Sequence, residues 1–428
     1  MKKQYFINAN IIDPHNFINE NGGLIIGEDG LIEAIGKKVN INNIPSREKV
    51  IDLKGKYIFP GLVDMRVFAG EPGYEYKENF RTLSNAALAG GVTSVVTMPN
   101  TDPIIDNVSI VDFLIRRGRD KSKINVFPSA ALTKNIEGNS MTEFGLLQNR
   151  GIIGFTDGIK TIQNTRLMSR IMNSAKDLGT LIMQHAEDYD LSKNGMINSG
   201  IIATKLGLSG IPAVAERIII ERDLTLLENI KCRYHISQIS ARKSVEVIKE
   251  RKEKVKFTTG VSINNLSLNE NDIGDFRTFL KLSPPLRTEE DRMALVQGLK
   301  DETINVIVSD HKPEDEEQKR LTFAQAATGA SGIETLLSLS LELHHNGSVK
   351  LETIIKALTS SPAKILKINK GNLSVGNDAD FCIVDIDKPW IVKKEKLVSK
   401  SKNTSIEDKK LQGKVTNTFV KGAELFRL

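Results

Sequence analysis

Residues 60–106 read PGLVDMRVFAGEPGYEYKENFRTLSNAALAGGVTSVVTMPNTDPIID, and this stretch sets a pattern that most of the chain repeats. Two apolar runs, GLVDM and VTSVVTM, lie on either side of a helical pattern from Phe80 to Leu88 that stops at Gly90 and Gly91. Short, continuously apolar runs are typical of buried parallel strands, and a helix between two of them makes a βαβ unit. The stretch therefore predicts a parallel sheet with crossover helices.

The same alternation of apolar runs and helical patterns continues through the middle of the chain. A second helix is predicted to end at Gly179, where glycine can adopt the left-handed cap conformation, and a third to begin at Thr288 with a capping box to Asp291. Eight strands that alternate with helices favour a (β/α)8 barrel, and no GxGxxG motif or P-loop follows a strand to favour a doubly wound sheet. The eight apolar runs are residues 61–65, 92–98, 124–130, 152–156, 180–184, 232–236, 255–259 and 304–309.

Both ends of the chain have a different sequence pattern, with short strand-like segments and turns. Short strand-like segments occur in YFINANIID, in two apolar runs around Glu28-Asp29-Gly30, in KVIDLKGKYIF, and again in the C-terminal KVTNTFVKGAELFRL. We therefore predict an α/β protein in which residues 59–366 form the barrel. Residues 1–58 and 367–428 together are predicted to form a small β-sandwich domain, with the lysine-rich segment 393–411 as a loop over it.

Composition excludes several classes of protein. The net charge of +6 comes from lysines scattered among acidic residues, and aromatic residues make up only 5%, so a nucleic-acid partner is not expected. No apolar run reaches the roughly 18 residues of a membrane span, and the start MKKQYFINANIID lacks the apolar core of a secretory signal. Cys232 and Cys382 form no disulfide framework. The predicted location is the cytoplasm.

Polar residues follow the predicted barrel strands at their carboxyl ends, where barrel enzymes carry their active sites. A single polar residue at a strand end is often only a loop cap, but a group on one rim indicates a functional site. The group comprises Arg66, Phe68, Asn100, Asp157, His185, His235, Gln238, Asp310 and His311. Of these, His235 is expected to be a core histidine, and His311 a supporting group beside Asp310.

Several motifs in this order resemble those of the class I dihydroorotases, which belong to the amidohydrolase superfamily. The resemblance implies a barrel fold, hydrolysis of a cyclic amide and a zinc site at the barrel mouth. The motifs are PGLVDM (60–65), EPGYEYKE (71–78), MPNTDPIID (98–106), FTDG (155–158), QHAED (184–188), SPPLR (283–287), VSDHKP (308–313), GIETLL (332–337) and SKSKNT (399–404).

Part of the family's site is retained. By resemblance, Asn100 matches a substrate contact, Asp157 a bridging carboxylate ligand and His185 an imidazole ligand. Asp310 matches a residue that serves as both metal ligand and general base.

The rest of the family's site is replaced. Arg66 and Phe68 stand where the resemblance predicts the two histidines of the His-x-His pair, and Gln238 stands at a third histidine ligand. Gly70, Ser283 and Glu314 stand at family substrate contacts, of which Gly70 replaces an arginine that grips a carboxylate. Zinc prefers imidazole, thiolate and carboxylate ligands. No metal cofactor is therefore expected.

Two functions are compatible with this pattern. The first is a catalytically inactive dihydroorotase-like protein of pyrimidine biosynthesis that acts as a structural partner of aspartate transcarbamoylase, in a homo-oligomer or hetero-oligomer. The second is an active hydrolase of dihydroorotate, a hydantoin or an allantoin-like ring, with zinc in a reduced site.

A replacement cation is available in the sequence. Asp157 and Asp310 are predicted to face each other at the mouth, and two close carboxylates cannot both ionise comfortably without a cation. We hypothesise that Arg66 bridges towards both of them, since a guanidinium can bind a carboxylate through two hydrogen bonds. The alternative is that Arg66 turns outward to solvent.

Overall fold

The computed structural model describes residues 2–44 and 50–428. Lys49, the first residue of the predicted run KVIDLKGKYIF, lies outside the described residues. The strands are β1 (Gln4–Asp13), β2 (Ile18–Ile26), β3 (Ile32–Gly36), β4 (Val50–Asp52), β5 (Tyr57–Pro60), β6 (Leu62–Val67), β7 (Val92–Thr97), β8 (Asn125–Pro128), β9 (Leu181–Gln184), β10 (Ile197–Asn198), β11 (Gly210–Ile211), β12 (Arg233–Ile236), β13 (Thr258–Ser262), β14 (Val306–Val308), β15 (Phe381–Ile391), β16 (Lys410–Val420) and β17 (Ala423–Arg427).

The α-helices lie mostly between the central strands. They are α1 (Phe80–Ala89), α2 (Val108–Lys121), α3 (Phe144–Gln148), α4 (Thr165–Leu178), α5 (Tyr189–Ser192), α6 (Ile201–Leu206), α7 (Ala213–Ile230), α8 (Arg242–Arg251), α9 (Ile263–Ser267), α10 (Glu289–Lys300), α11 (Glu316–Arg320), α12 (Leu336–His345), α13 (Leu351–Leu358) and α14 (Ser360–Leu366). Two predicted helix ends are confirmed. Gly179 caps α4 with φ of 65°, and Thr288 and Asp291 form a capping box at the start of α10.

The central strands close into a parallel barrel. One sheet has the order β6-β7-β8 and another the order β14-β13-β12-β9. Single bridges join the two sheets, from Ala130 to Phe155, from Phe155 to Ile182, and from Val67 to His311. The predicted fold class, an α/β barrel with an extra β-sandwich domain, is confirmed.

Two strand predictions need correction. The run 152–156 does not form a regular strand, because only Phe155 forms bridges on both sides, to Ala130 and to Ile182. Its N–H donates to the Leu181 carbonyl, and its carbonyl accepts from the Met183 N–H. The seventh strand, predicted at 255–259, starts later and spans Thr258–Ser262, since its pairing with β12 begins at Thr258 and its pairing with β14 extends to Ser262. In both cases hydrogen bonding to neighbouring strands, rather than apolar character, sets the limits.

The terminal strands build one sheet. Its order is β17-β16-β15-β5-β1-β2-β3, with β4 paired to β1, and it therefore combines strands from both ends of the chain. The predicted hairpin is present as the antiparallel pair of β2 and β3. The core of this sheet contains an aromatic group in which Phe381 stacks on Phe419 at 4.4 Å and Phe6 meets both rings edge-on.

The lysine-rich segment lies against the barrel, and its predicted place over the small domain is wrong. The backbone N–H groups of Val398 and Ser399 donate to the Glu334 carboxylate at 2.8–2.9 Å, and the Ser399 hydroxyl donates to Glu78 at 2.7 Å. Buried carboxylates need hydrogen-bond donors. The segment supplies donors to carboxylates on the barrel, and this fixes its position.

No helix in residues 2–44 and 50–428 is both long enough and apolar enough to cross a bilayer.

The aromatic core of the terminal sheet gives a stability prediction. We expect Phe419→Ala to lower the free energy of unfolding by about 3–5 kcal/mol, because it leaves a cavity beside Phe381. Phe17→Ala is the matched control, since Phe17 is 90% exposed, and its effect should stay within about 0.5 kcal/mol. Urea denaturation measures both, and equal effects would contradict the assignment of this core.

Candidate functional site at the barrel mouth

Arg66 and Asp310 form an ion pair inside the barrel mouth. Arg66 lies in β6 and is only 5% exposed, and its Nε donates to Asp310 Oδ1 at 3.1 Å. Its Nη1 and Nη2 atoms donate to the Gly158 carbonyl at 3.4 and 3.3 Å. The guanidinium therefore points inward, and the alternative in which it turns to solvent is wrong.

The predicted contact between Arg66 and Asp157 is also wrong. Asp157 Oδ1 accepts the Thr133 N–H at 3.0 Å and Oδ2 accepts the Thr133 hydroxyl at 2.5 Å, so a local partner satisfies this carboxylate. The two residues form no ion pair within the described chain. Burial raises the pKa of Asp157 to about 6, and the hydrogen bonds from Thr133 oppose that rise.

Asp310 has an unusual backbone and a mixed electrostatic environment. Its φ of 50° places it in the left-handed region, which aspartate tolerates better than most residues. Burial raises the pKa of its carboxyl, and the charge of Arg66 lowers that pKa again in part. Arg66 is thus the main group that favours the ionised form of Asp310.

His185 is a buried, neutral imidazole. It is 1% exposed, and burial together with the charge of Arg66 lowers its pKa to about 3. Neither of its ring nitrogens has a hydrogen-bond partner among the described residues, and the same holds for both amide atoms of Gln238 and for Asn100 Oδ1. Buried polar atoms are nearly always paired in proteins, and ordered water or a polar ligand would supply partners for these atoms.

The residues at the mouth do not fit the zinc that the resemblance implies. Within residues 2–44 and 50–428, no group of three or more His, Cys, Asp or Glu side chains is placed to hold a metal ion. Asp310 is bound to a guanidinium and Asp157 to Thr133, which leaves His185 as the one retained ligand position without a partner there. A cation placed at Asp310 would also meet the permanent charge of Arg66.

Phe68 and Gly70 lie on the side of the mouth where the resemblance predicts a histidine and an arginine. The Phe68 ring is buried and lies 5.9 Å from the ring of Tyr74. Gly70 has φ of +70°, and a Cβ atom there would lie 2.3 Å from the Glu78 carbonyl oxygen and 2.9 Å from the Tyr74 carbonyl oxygen. No larger side chain can replace Gly70 unless this loop moves.

Glu314 and Ser283, at two further family substrate positions, differ in their surroundings. Glu314 is buried, and its carboxylate lies 2.6 Å from Lys77 Nζ and 3.7 Å from Lys312 Nζ. Ser283 is half-buried in the loop after the 3-10 helix Thr278–Leu280. Glu314 therefore belongs to a set of ion pairs rather than to a free binding group.

The predictions for the two histidines His235 and His311 have different outcomes. His235 is a core histidine as predicted, with its Nδ1 2.8 Å from the Thr258 hydroxyl. His311 does not support the Asp310 carboxylate, because its Nδ1 accepts from the Gly332 N–H at 3.2 Å and its Nε2 lies 3.6 Å from Glu78.

A small cavity adjoins Arg66 and His235 within the barrel. Its volume is about 10 Å³, which is room for about one water molecule. Little open space therefore remains beside Arg66.

Buried lysines that sequence reasoning missed hold the loop after β14. Lys281 Nζ donates to the carbonyls of Phe323 and Ala324 at 2.9 and 2.8 Å. Lys319 Nζ donates to the carbonyls of Thr278 and Ala327 at 3.0 and 2.6 Å, and burial lowers its pKa to about 7. No pattern in the sequence distinguishes them from the many surface lysines.

The fold defines the class of the protein, an amidohydrolase-type barrel with an additional β domain. Residues 55–244 match the family described as Dihydro-orotase-like. Proteins named dihydroorotase from Ehrlichia chaffeensis and Syntrophus aciditrophicus are 40% and 39% identical to this chain, over 99% and 97% of it and 94% and 97% of their own lengths. The chain belongs to the dihydroorotase-like family.

Solved structures share the fold. An L-hydantoinase from Arthrobacter aurescens superposes with a TM-score of 0.87 at 22% identity and covers 99% of this chain and 96% of its own. A dihydropyrimidinase from Brevibacillus agri gives 0.85 at 22% identity, over 99% and 95%. At this level of identity the likeness concerns the fold alone.

The ion pair at the mouth gives a prediction for a mutant cycle. Arg66→Met should lower the free energy of unfolding by about 3–5 kcal/mol, because it leaves the Asp310 carboxylate buried without its cation. Arg66→Met combined with Asp310→Asn should recover part of that loss, since no buried charge remains. Arg166→Met, at an exposed arginine of α4, is the control and should have little effect. An Arg66→Met variant as stable as the parent would contradict the assignment.

His235 gives a prediction for pH dependence. Burial, with the charge of Arg66, lowers its folded-state pKa to about 3, below the ordinary value of 6.5, so its contribution to stability is present above pH 6.5 and is lost as pH falls towards 3. Between pH 7.5 and 5.0 this loss is about 2 kcal/mol. His235→Asn should therefore show a correspondingly smaller fall in unfolding free energy over that interval than the parent. Parallel pH profiles would contradict a neutral His235.

Proposed function

We propose that this protein is a non-catalytic member of the dihydroorotase-like family that acts as a structural partner of aspartate transcarbamoylase in pyrimidine biosynthesis. The observation that carries the loss of catalysis is the Arg66 guanidinium, which lies 3.1 Å from Asp310 where the family resemblance places a metal ion.

The chemistry of the reaction supports this proposal. Hydrolysis of a cyclic amide near neutral pH requires a water molecule activated by a bound metal. A guanidinium carries only donors and stays protonated, so it can neither coordinate a water through a lone pair nor accept its proton. Its charge also favours the ionised, ion-paired state of Asp310, which weakens this carboxylate as a base.

The substrate side of the mouth supports it as well. Gly70 offers no side chain to a substrate carboxylate, and its loop has no space for a Cβ atom. The mouth therefore lacks a side chain at Gly70 to orient the substrate carboxylate in the transition state. It lacks this contact in addition to the activated water.

A structural role is consistent with what the chain has kept. The barrel and the terminal sheet are both present, and similarity to a protein named dihydroorotase extends over 99% of the chain. A fold can persist when its surface is used and its reaction is not. The identity of the partner rests on the resemblance to inactive relatives that are associated with aspartate transcarbamoylase.

A second candidate function is an active cyclic-amide hydrolase with a reduced metal site. It is favoured by the retained Asp157, His185 and Asp310 and by the unpaired polar atoms of Asn100, His185 and Gln238, which face no protein partner. It requires Arg66 to leave Asp310 when a metal ion binds. Activity and assembly measurements separate the two functions.

Enzyme assays test the loss of catalysis. Purified protein supplied with zinc, cobalt or manganese should neither hydrolyse dihydroorotate nor cyclise carbamoyl aspartate above background, because no activated water and no carboxylate grip are provided. Metal-dependent turnover that Asp310→Ala abolishes and Asp177→Ala, at an exposed carboxylate of α4, leaves intact would establish the second candidate instead.

Size-exclusion chromatography tests the partnership. We expect this protein and the aspartate transcarbamoylase of the same cell to elute together as a larger species, because the proposed role uses the outer surface of the fold. Asp310→Asn should leave that assembly unchanged, since the side chain lies inside the mouth. Two separate peaks at micromolar concentrations would contradict the proposal.

A further inference from the structure

A second cavity lies at the opposite end of the barrel from the mouth. Its volume is about 610 Å³, and it is lined by the first residues of three strands, Leu181 of β9, Arg233 of β12 and Thr258 of β13. Helices α13 and α14 form its outer wall through residues such as Lys356 and Ile365. Since the mouth is at the carboxyl ends of these strands, the cavity is separate from the site described above.

The lining of this cavity is strongly basic. Glu302 is the one carboxylate among the described residues of the lining, and its Oε1 lies 2.8 Å from Lys356 Nζ in an ion pair. The basic side chains of the lining are Lys231, Arg233, Lys256, Lys356, Lys364 and Lys367.

Most of these cations have no protein counter-ion. Lys231, Lys256, Lys364 and Lys367 form no ion pair within 4.0 Å in the part of the chain that the structure describes, whereas ion pairs are common elsewhere on the surface. Unpaired cations around a concave surface raise the local concentration of anions. The arrangement therefore favours a ligand that carries more than one negative charge.

Arg233 is a basic residue of the cavity lining whose side chain is held by hydrogen bonds. Its Nη1 donates to the Gly179 carbonyl at 3.1 Å and its Nη2 to the Ile365 carbonyl at 2.5 Å, which fixes the guanidinium between the C-terminal cap of α4 and α14. Burial lowers the pKa of Arg233, so part of this charge is withdrawn from water. Electrostatic attraction is stronger at a partly desolvated charge than at a fully exposed one.

The inner surface of the cavity is apolar. Leu181, Phe257, Leu299, Ile304 and Ile365 contribute to it. The volume falls within the roughly 300–1,000 Å³ of pockets that bind small molecules, and an apolar interior with a few polar groups is typical of such pockets. A ligand that fills it needs an apolar or aromatic body as well as charge.

We propose that this cavity binds a small organic polyanion, a phosphate ester with an apolar or aromatic body, which is the chemistry of a nucleotide. Lysine ammonium groups bind phosphates as point charges and need no fixed fork geometry, which suits a wall of flexible lysines. An acidic peptide would satisfy the lysines but would leave the apolar interior unfilled.

Calorimetric titration with ATP, inorganic pyrophosphate and polyglutamate tests the proposal. We expect saturable binding of ATP by the parent protein. Replacing three lining lysines together, Lys231→Gln, Lys364→Gln and Lys367→Gln, should weaken it by about tenfold or more. The matched control replaces three exposed lysines elsewhere, Lys121→Gln, Lys123→Gln and Lys176→Gln, and should retain the affinity within about twofold.

A further variant tests the apolar body of the ligand. Phe257→Ala should weaken ATP more than pyrophosphate, because only ATP has a base to contact the ring. The proposal is overturned by the absence of saturable ATP binding, by equal losses in the two lysine triples, by equal effects of Phe257→Ala on both anions, or by binding of polyglutamate without ATP. None of these results bears on the proposed loss of catalysis, which concerns the other end of the barrel.

Discussion

The ion pair between Arg66 and Asp310 is the constraint on which the barrel mouth depends. A buried carboxylate without a cation costs several kcal/mol, and Arg66 supplies the cation from within the chain. Burial together with this charge keeps His185 neutral, and the Gly158 carbonyl accepts hydrogen bonds from Nη1 and Nη2 of Arg66. Arg66 pairs with Asp310, and Asp157 instead accepts a hydrogen bond from the Thr133 hydroxyl.

Much of the fold could be predicted from the sequence, because its signals are local. Apolar runs identified most of the barrel strands, and the caps at Gly179 and Thr288 depend on residues within a few positions. The predictions failed where residues distant in the sequence determine the position of a segment. Phe155 is positioned by single pairings with strands on either side, and the segment around Ser399 by carboxylates far away in the sequence.

The contacts at the barrel mouth were predicted only in part. The sequence indicated that two carboxylates at the mouth would need a cation and that Arg66 could supply it, which led to the predicted contact with Asp310. The choice between Asp310 and Asp157 depended on Thr133, whose hydroxyl lies 24 positions from Asp157 and leaves no pattern in the sequence. The basic cavity is likewise made of lysines that become neighbours only in the folded chain, so composition alone could not reveal it.

The central claim is that a guanidinium occupies the place of the family's metal ion. Elemental analysis of zinc bound per chain, after equilibration with zinc at neutral pH and gel filtration, tests it most directly. We expect the parent protein and Asp310→Ala to carry the same substoichiometric amount, because Arg66 and not zinc neutralises this carboxylate. A full equivalent of zinc in the parent that is absent from Asp310→Ala would contradict the claim.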